Sequence, residues 1–411
     1  MPEIAPPSII KLVVTGALAI ALLIPGFLVF GLVEEREERQ AEMREEIAAS
    51  WGRPQTVSPP VLVLPVIARD GQARSQVLIM PRSLTADAVL APETRRRGLF
   101  TAQVYTASID MAAQFDTAPA LPEGTEALWH EAWLLTAVSD LRTAARPVMQ
   151  WEGGRPQMQA NDICDGQAQQ VWRLGLAGPP SAMNITARFV LRGSESLHLR
   201  PLAEESRFSI AAPWPTPSFT GTELPERSTP GDGGFRAEWN GLQGPPRLAL
   251  NTRGCLALPR AAGARLIEAV PVYRMVTRAT KYSVIFIALG FLTYLLFELL
   301  ARAPIHPVQY GLFGASLVLF PLLLLAIAEV LGFTTAYAMA GTMVLAQAGL
   351  YTLSVTRRAG LAAMLMLVLG GLFGFLYVVL TLESLALLTG AIALFAVLSA
   401  LMLLTRRVRW G

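Results

Sequence analysis

The sequence predicts a multi-pass membrane protein: an α-helical bundle of six transmembrane helices, with a large β-rich, antiparallel sandwich-like domain inserted between helices 1 and 2. Three observations carry that prediction. The 411 residues are 53% hydrophobic and only 16% charged, with a mean hydropathy of +0.43, whereas soluble domains carry about a quarter charged residues. Stretches of bilayer-spanning length, about 20 apolar residues, cluster at the two ends of the chain. Between them lies a long segment whose apolar residues alternate or come in short runs broken by Pro and Gly, the pattern of strands and turns.

The first helix runs from about Ile9 to Val33, with Lys11 near its start and Pro25 inside it. Its apolar stretch exceeds the roughly 7–15 residues of a signal peptide, and no small-x-small cleavage site precedes the charged run that follows, so it reads as a retained anchor. From Tyr282 the chain is almost continuously apolar, broken only at residues 301–309, 332–335, 356–360 and 382–385. These breaks define five more helices, with cores near 282–301, 310–331, 335–355, 360–381 and 385–404. Pro321 is expected to kink the third helix and free a carbonyl. Three units follow: residues 1–33 as the N-terminus and helix 1, 34–281 as the inserted domain, and 282–411 as a five-helix bundle.

Six crossings put both termini on one side. With the N-terminus in the cytoplasm, Lys11, Arg302, Arg357, Arg358, Arg406, Arg407 and Arg409 are all cytoplasmic, and the two short outer connectors carry no Lys or Arg, as translocated loops prefer. Residues 34–281 are then expected to lie outside the cytoplasm. Seven of the 34 basic and four of the 31 acidic residues lie outside that segment, which is therefore neutral, and the surplus of +3 belongs to the cytoplasmic face. The basic balance is thus a topology signal. No run of Lys or Arg is dense enough to track a phosphate backbone, which excludes nucleic acid as a partner.

Residues 34–50 (EEREERQAEMREEIAAS) are rich in helix formers, with Glu35 four residues before Arg39, so helix 1 is expected to continue as a charged, solvated stalk. Past Pro54, strands are expected at 61–66, 99–111, 183–192, 196–200, 207–210, 235–239 and 264–276. The clearest is 183–192, where Met183, Ile185, Ala187, Phe189 and Leu191 face one way and Asn184, Thr186, Arg188 and Arg192 the other. Cys164 and Cys255, the only cysteines, both lie in this domain, where an oxidising compartment favours a disulfide; two unpaired thiols are the alternative.

No P-loop, paired-glycine nucleotide fingerprint, Gly-x-Ser-x-Gly or zinc pattern occurs, so no catalytic residue, metal ligand or cofactor is expected. His130 and His198 fall in strand-like runs and read as surface residues. Ionisable groups in the membrane carry more information, because placing one in hydrocarbon costs at least ~2.5–3.5 kcal/mol. Glu298 is expected to pair with Arg302 at the cytoplasmic end of its helix, Glu329 to reach water at the outer end of helix 3, and Gln347 to hydrogen-bond between helices. Gly370 and Gly374 have the spacing that lets two helix backbones approach within the bundle.

Particular strings then matter more than their periods: WPTPSFTGTELPE (214–226) followed by GFRAEW (234–239), VYRMVTRATKYSVIFIALGFLTYLLFE (272–298), and HPVQYGLFGASLVLFPLLLLAIAEVLGFTTAY (306–337), with SPPVLVLPV (58–66) after the stalk. Together these resemble the CreD family of bacterial inner-membrane proteins, most specifically over residues 278–333. The resemblance implies a role in cell-envelope integrity, often within a two-component regulon of the envelope and β-lactam response. It supplies no active-site motif. Arg278, Lys281, Tyr282, Glu298, His306, Pro307, Gln309, Tyr310 and Glu329 lie in the matching strings and mark where function is expected to concentrate.

The leading expectation is a non-enzymatic protein that meets membrane lipids through its helices and binds an unknown periplasmic protein, lipid or envelope polymer through the inserted domain. The alternative is a transporter or lipid-handling protein using the five-helix bundle, which requires a polar cavity joining Glu298, Gln347 and Glu329. A hydrolase requires His130 or His198 within hydrogen-bond reach of a nucleophile.

Overall fold

The computed structural model describes residues 9–69, 74–98, 100–116, 121, 123–145, 147–164, 167–180, 183–231, 233–244, 261–266, 272–301 and 305–381, with scattered positions from 388 to 402. The chain forms two compact units, Met1–Arg39 with Val270–Gly411, and Gln40–Ala269. Helix α1 (Ile9–Ala21) gives way at Leu22 to α2 (Leu23–Trp51). Pro25 accounts for the break, because it has no N–H to offer the Ala21 carbonyl four residues back.

The second unit is built from sixteen strands among the described residues. They are β1 (Gln55–Ala68), β2 (Arg74–Ile79), β3 (Ser83–Arg97), β4 (Phe100–Phe115), β5 (Thr125–Ala127), β6 (Trp133–Val138), β7 (Val148–Trp151) and β8 (Gln157–Cys164). Then come β9 (Gln167–Arg173), β10 (Met183–Ser194), β11 (Ser196–Leu199), β12 (Glu205–Ala212), β13 (Pro217–Gly221), β14 (Arg227–Gly231), β15 (Gly234–Leu242) and β16 (Ala262–Leu266). One sheet has nine strands in the order β13-β16-β11-β1-β6-β9-β8, with β2 and β5 also pairing β1; the other has seven, β14-β15-β12-β3-β4-β10-β7. The sheets share one core, to which β1 gives Leu62 and Leu64, β11 gives Leu197 and Leu199, β10 gives Ile185 and Phe189, and β12 gives Phe208 and Ile210. The expected sandwich-like layering is therefore present, but the sheets are mixed: β1 pairs β11 in parallel and β12 pairs β3 in parallel. Those partners lie more than a hundred residues apart, so the chain has room for the long crossover that parallel pairing needs.

Local chemistry explains several details. In β1, Pro59 and Pro60 cannot donate to a ladder, and the pairing with β6 shifts register between Ser58 and Val61. In β10, Met183, Ile185, Ala187, Phe189 and Leu191 are buried and the residues between them exposed, as the alternation predicts. Fully buried Gln55 ties the sheets together: its Nε2 donates to the Arg192 carbonyl at 2.9 Å, and its Oε1 accepts from the Asp140 N–H at 3.2 Å. Tyr105 of β4 does the same by donating its hydroxyl to the Ser196 carbonyl at 2.7 Å, and burial pushes its pKa up.

Asp140 caps a short 3-10 turn, accepting from the Arg142 N–H at 3.0 Å and from the Arg142 guanidinium at 3.0 and 2.8 Å. That guanidinium holds the carboxyl below the usual carboxylate range. Because the folded-state pKa is depressed, the stabilisation is present above the unfolded pKa of about 4 and is lost as pH falls through the folded value. Asp140→Asn keeps a capping acceptor but removes the charge that Arg142 holds, and is expected to flatten the acid limb of the unfolding profile; an unchanged profile would contradict this.

Three expectations need correction in this unit. Among its described residues, the run 264–276 is strand to Leu266 but helical from Val272. His130 lies in a 3-10 turn, Trp129–Glu131, and not in a strand. The end of the stalk is not simply solvated: Ile47 and Trp51 pack on Ala102 and Val104 of β4, and the guanidiniums of Arg95 and Arg192 lie over the Trp51 ring, 4.2 and 4.6 Å from its centroid. Glu46 also pairs with Arg97 there. Cys255 lies outside the described residues and of Cys164 only the backbone is described, so the expected disulfide falls outside them.

In the first unit, α2 is followed by α3 (Val272–Ala301), α4 (Pro307–Leu331), α5 (Phe333–Thr356) and α6 (Ala359–Thr381). Among the described residues, five helical segments are long and apolar enough to cross a membrane: Val13–Trp51, Val272–Glu298, Pro307–Leu331, Phe333–Thr356 and Ala359–Thr381. The sixth expected helix, 385–404, lies outside the described residues apart from scattered positions. Gly332 alone links α4 to α5, at φ 79°, a left-handed conformation that suits glycine, and its N–H caps the Ala328 carbonyl at 3.1 Å. Helix α4 continues through Pro321, which is buried.

Candidate functional site

Two polar layers hold the bundle together, one near each end. At the end where α3 begins, Glu329 of α4 accepts a 2.9 Å hydrogen bond from the Tyr273 hydroxyl, with Arg36 Nε at 4.0 Å. The Glu329 side chain is only 11% exposed, so it is held by protein and does not reach freely into water as expected. Beside it, Thr277 donates to Glu37 at 3.4 Å, and Arg278 donates to the Val379 carbonyl at 3.3 Å. Val379 lies in the last turn of α6, where unsatisfied carbonyls favour a cation. Lys281 Nζ lies 5.9 Å from the centroid of the Phe30 ring, and Tyr282 is half-buried on α3.

The opposite layer contains Glu298, which accepts from the Tyr310 hydroxyl at 3.2 Å. Its expected partner Arg302 lies outside the described residues. Tyr310 is fully buried against Tyr294, whose ring stacks on Phe313 at 4.2 Å and whose hydroxyl bonds Thr352 at 2.6 Å. His306, Pro307 and Gln309 form the start of α4: Nδ1 of His306 accepts from the Val308 N–H at 3.3 Å, and Gln309 Oε1 accepts from the His306 N–H at 2.9 Å. This reciprocal cap, with Pro at the first helical position, satisfies N–H groups that would otherwise be orphaned. His306→Ala is expected to lower stability by about 1 kcal/mol, whereas His306→Asn, which keeps an acceptor, is expected to retain most of it. Equal losses in denaturant unfolding would contradict the capping role.

The two layers do not form one site. Tyr273 and Glu298 sit twenty-five residues apart on α3, about 37 Å of helix rise. Gln347 does not bridge them, because its side chain is exposed on α5 and makes no hydrogen bond among the described residues. Gly374 is also exposed, with open space where a Cβ would stand; the close helix approaches are instead Gly290 against Phe313, Gly314 against Leu22 and Phe291, and Gly349 against Met366.

On the second unit, a groove of about 480 Å³ opens on the outward face of the seven-stranded sheet. Thr85, Asp87, Asp110, Ala112, Gln150, Thr186 and Arg188 line it. Strand register puts Asp87 directly opposite Asp110, a pairing of like charges that by itself destabilises a sheet. Arg188 answers Asp110 at 2.5 Å, and the Ser209 hydroxyl donates to Asp87 at 2.6 Å. Among the described residues no group of three or more His, Cys, Asp or Glu could hold a metal ion. The sequence offered no sign of this groove beyond alternation within each strand. The arginine and tyrosine partners of Glu329 were equally hidden, since Arg36 and Tyr273 are far from it in the chain.

Comparison with known proteins places the chain. The family described as Inner membrane protein CreD matches residues 7–411. The chain belongs to the CreD family. Inner membrane protein CreD of Escherichia coli (strain K12) is 28% identical over 419 residues, covering 95% of this chain and 90% of that protein. CreD membership and the apolar helices make this a multi-pass inner-membrane protein. Among solved structures, an M1 zinc metallopeptidase from Deinococcus radiodurans is 12% identical with a TM-score of 0.22, over 76% of this chain and 90% of that one. A mutant form of it bound to a Tyr-Ser-Ala substrate is 13% identical with a TM-score of 0.23, over the same 76% and 90%. Likeness at that level carries no argument about fold or activity. Within the CreD strings, HPVQY contains a helix cap and a buried tyrosine, and the strings reaching Tyr273 and Glu329 contain one of the polar layers.

Proposed function

We propose that this CreD protein supports cell-envelope integrity by binding, without catalysis, through a periplasmic β-rich unit, while the bundle meets membrane lipids and both termini lie in the cytoplasm. The ligand is an envelope polymer rich in hydroxyl and amide groups. The observation that carries this reading is the groove on the seven-stranded sheet, where Thr85, Asp87, Asp110, Gln150, Thr186 and Arg188 offer donors and acceptors beside the small Ala112 and the exposed Val148. Such an open polar strip suits an extended polar chain better than a compact apolar one. The orientation follows from Arg357 and Arg358 in the short link between α5 and α6, which translocated loops disfavour. The transport reading has less support, because Glu298 and Glu329 bond different partners in layers at opposite ends of α3 and the Gln347 side chain between them faces outward.

The test is complementation of a gene deletion under detergent and β-lactam stress, with the intact protein and with Ala112→Trp, which fills the groove from an exposed position. Rescue by the intact protein but not by a normally inserted, protease-resistant Ala112→Trp protein is expected. Full rescue by the filled variant would remove the groove from the function, and a deletion without phenotype would remove the envelope role.

A further inference from the structure

A second polar constellation lies on the outward face of the nine-stranded sheet, independent of the groove above. His198 on β11 and Thr220 on β13 are not on neighbouring strands, because β16 runs between them. The register nonetheless puts them in one row, His198 opposite Gly263 and Gly263 opposite Thr220. Gly263 has no side chain to intervene, so the imidazole Nε2 and the Thr220 hydroxyl meet across it at 2.8 Å. One row away on the same face, Arg265 stands between Ser196 and Ser218. Arg200 follows His198 by two residues at the end of β11 and is half-buried.

Among the described residues, both charges that act on His198 are positive. The charged groups acting on His198 are Arg265 from β16 and Arg200 beyond its own strand, while β13 and β1 present the hydroxyls of Thr220, Ser218 and Thr56. No carboxylate among the described residues forms an ion pair with Arg265. Burial, then the Arg265 and Arg200 charges, push the His198 pKa below its ordinary value, so the ring is neutral at pH 7. Two arginines that act electrostatically on an imidazole, on the same face as hydroxyl groups, are the residue types that recognise a tetrahedral oxyanion.

We propose that His198, Thr220, Arg200 and Arg265 form a binding site for a phosphate group, either free or carried on a lipid headgroup. Arg265 and Arg200 supply the charge, and Thr220 donates a hydrogen bond. His198 couples the site to pH: a bound anion reverses the field that keeps the ring neutral, so binding draws a proton onto it. By linkage, affinity then rises as pH falls, tenfold for each unit by which binding raises the His198 pKa.

The chain has three histidines, so full-length protein with carbon-13-labelled histidine in neutral detergent gives three imidazole signals. Titration with inorganic phosphate, and separately with soluble short-chain phosphatidylglycerol, is expected to move the one signal that disappears in His198→Gln, leaving those of His130 and His306 as internal controls of folding. Binding should tighten from pH 8 to pH 6 and weaken about 10- to 100-fold in Arg265→Gln, at an exposed position, with partial recovery in Arg265→Lys. Response to both probes identifies the phosphate group itself as the recognised unit, and response to phosphatidylglycerol alone identifies the lipid headgroup as the source. No shift of the His198 signal at millimolar probe, pH-independent binding, or undiminished binding in Arg265→Gln would each overturn the site.

Discussion

Trp239→Ala is expected to destabilise the β-rich unit by about 3–5 kcal/mol, the range for removing a buried large aromatic. Trp239 is 1% exposed on β15 of the seven-stranded sheet, and its ring meets Phe219, from β13 of the other sheet, edge-on at 5.9 Å and 81°. Phe219 in turn meets Phe235 edge-on at 5.8 Å and 75°, so the indole is one arm of an aromatic contact, centred on Phe219, that joins the two layers. Its Nε1 also donates to the Glu223 carbonyl at 3.1 Å, and truncation leaves that acceptor without its donor. At about 2–4 °C per kcal/mol for a unit of this size, the unfolding midpoint falls by roughly 10 °C. Trp239→Phe keeps most of the apolar contact and loses the hydrogen bond, and should cost about 1–3 kcal/mol. Thermal and urea unfolding of the full-length protein in detergent would measure both; an Ala variant within 1 kcal/mol of the parent would show that the two sheets do not depend on this contact.

Gly263→Ala is the second large effect, and its cause is space rather than backbone conformation. A Cβ at this position would run into the Leu197 carbonyl oxygen and stand 2.7 Å from the His198 Cα, both backbone atoms of the neighbouring strand. A flexible side chain can turn away; a strand in the middle of a ladder cannot move without stretching the hydrogen bonds on its other side. A cost of about 3 kcal/mol is expected, at the upper end of the overpacking range. The same substitution separates β11 from β16 and so lengthens the reach of His198 to Thr220. Unfolding of the variant measures the first consequence, and loss of the phosphate-induced His198 signal measures the second. A stability within 0.5 kcal/mol of the parent would mean that the two strands can part at no cost, which would also undercut the His198–Thr220 row.

Much of this molecule is written in the order of its residues. Apolar runs of membrane-spanning length, the charged continuation of the first helix and the alternation in Met183–Leu191 each report a property of one segment in one solvent environment, and each was legible without knowing any other segment. The strings that signal CreD were legible for the same reason, because they are contiguous. Local signals misled where two structures share a composition: the β-branched and aromatic residues of 264–276 suit a strand, yet from Val272 they form the first turns of a long apolar helix whose packing outweighs propensity. In α5, apolar residues surround the whole helix, so no period told which side Gln347 would take, and it faces outward.

Only the tertiary structure decided which polar groups meet. Glu329, Tyr273 and Arg36 come from three distant parts of the chain, as do His198, Gly263 and Thr220, and register alone sets Asp87 against Asp110. Periodicity assigns a side chain to a face of its own element; it is silent on the neighbour that element takes, or on the register at which it docks. The sequence by itself therefore determined where the chain is apolar, where it is extended and which family it belongs to. The groove, the two polar layers of the bundle and the cationic row across Gly263 arise from strand order and helix packing, because those are fixed by contacts between segments that have no common signal in one dimension.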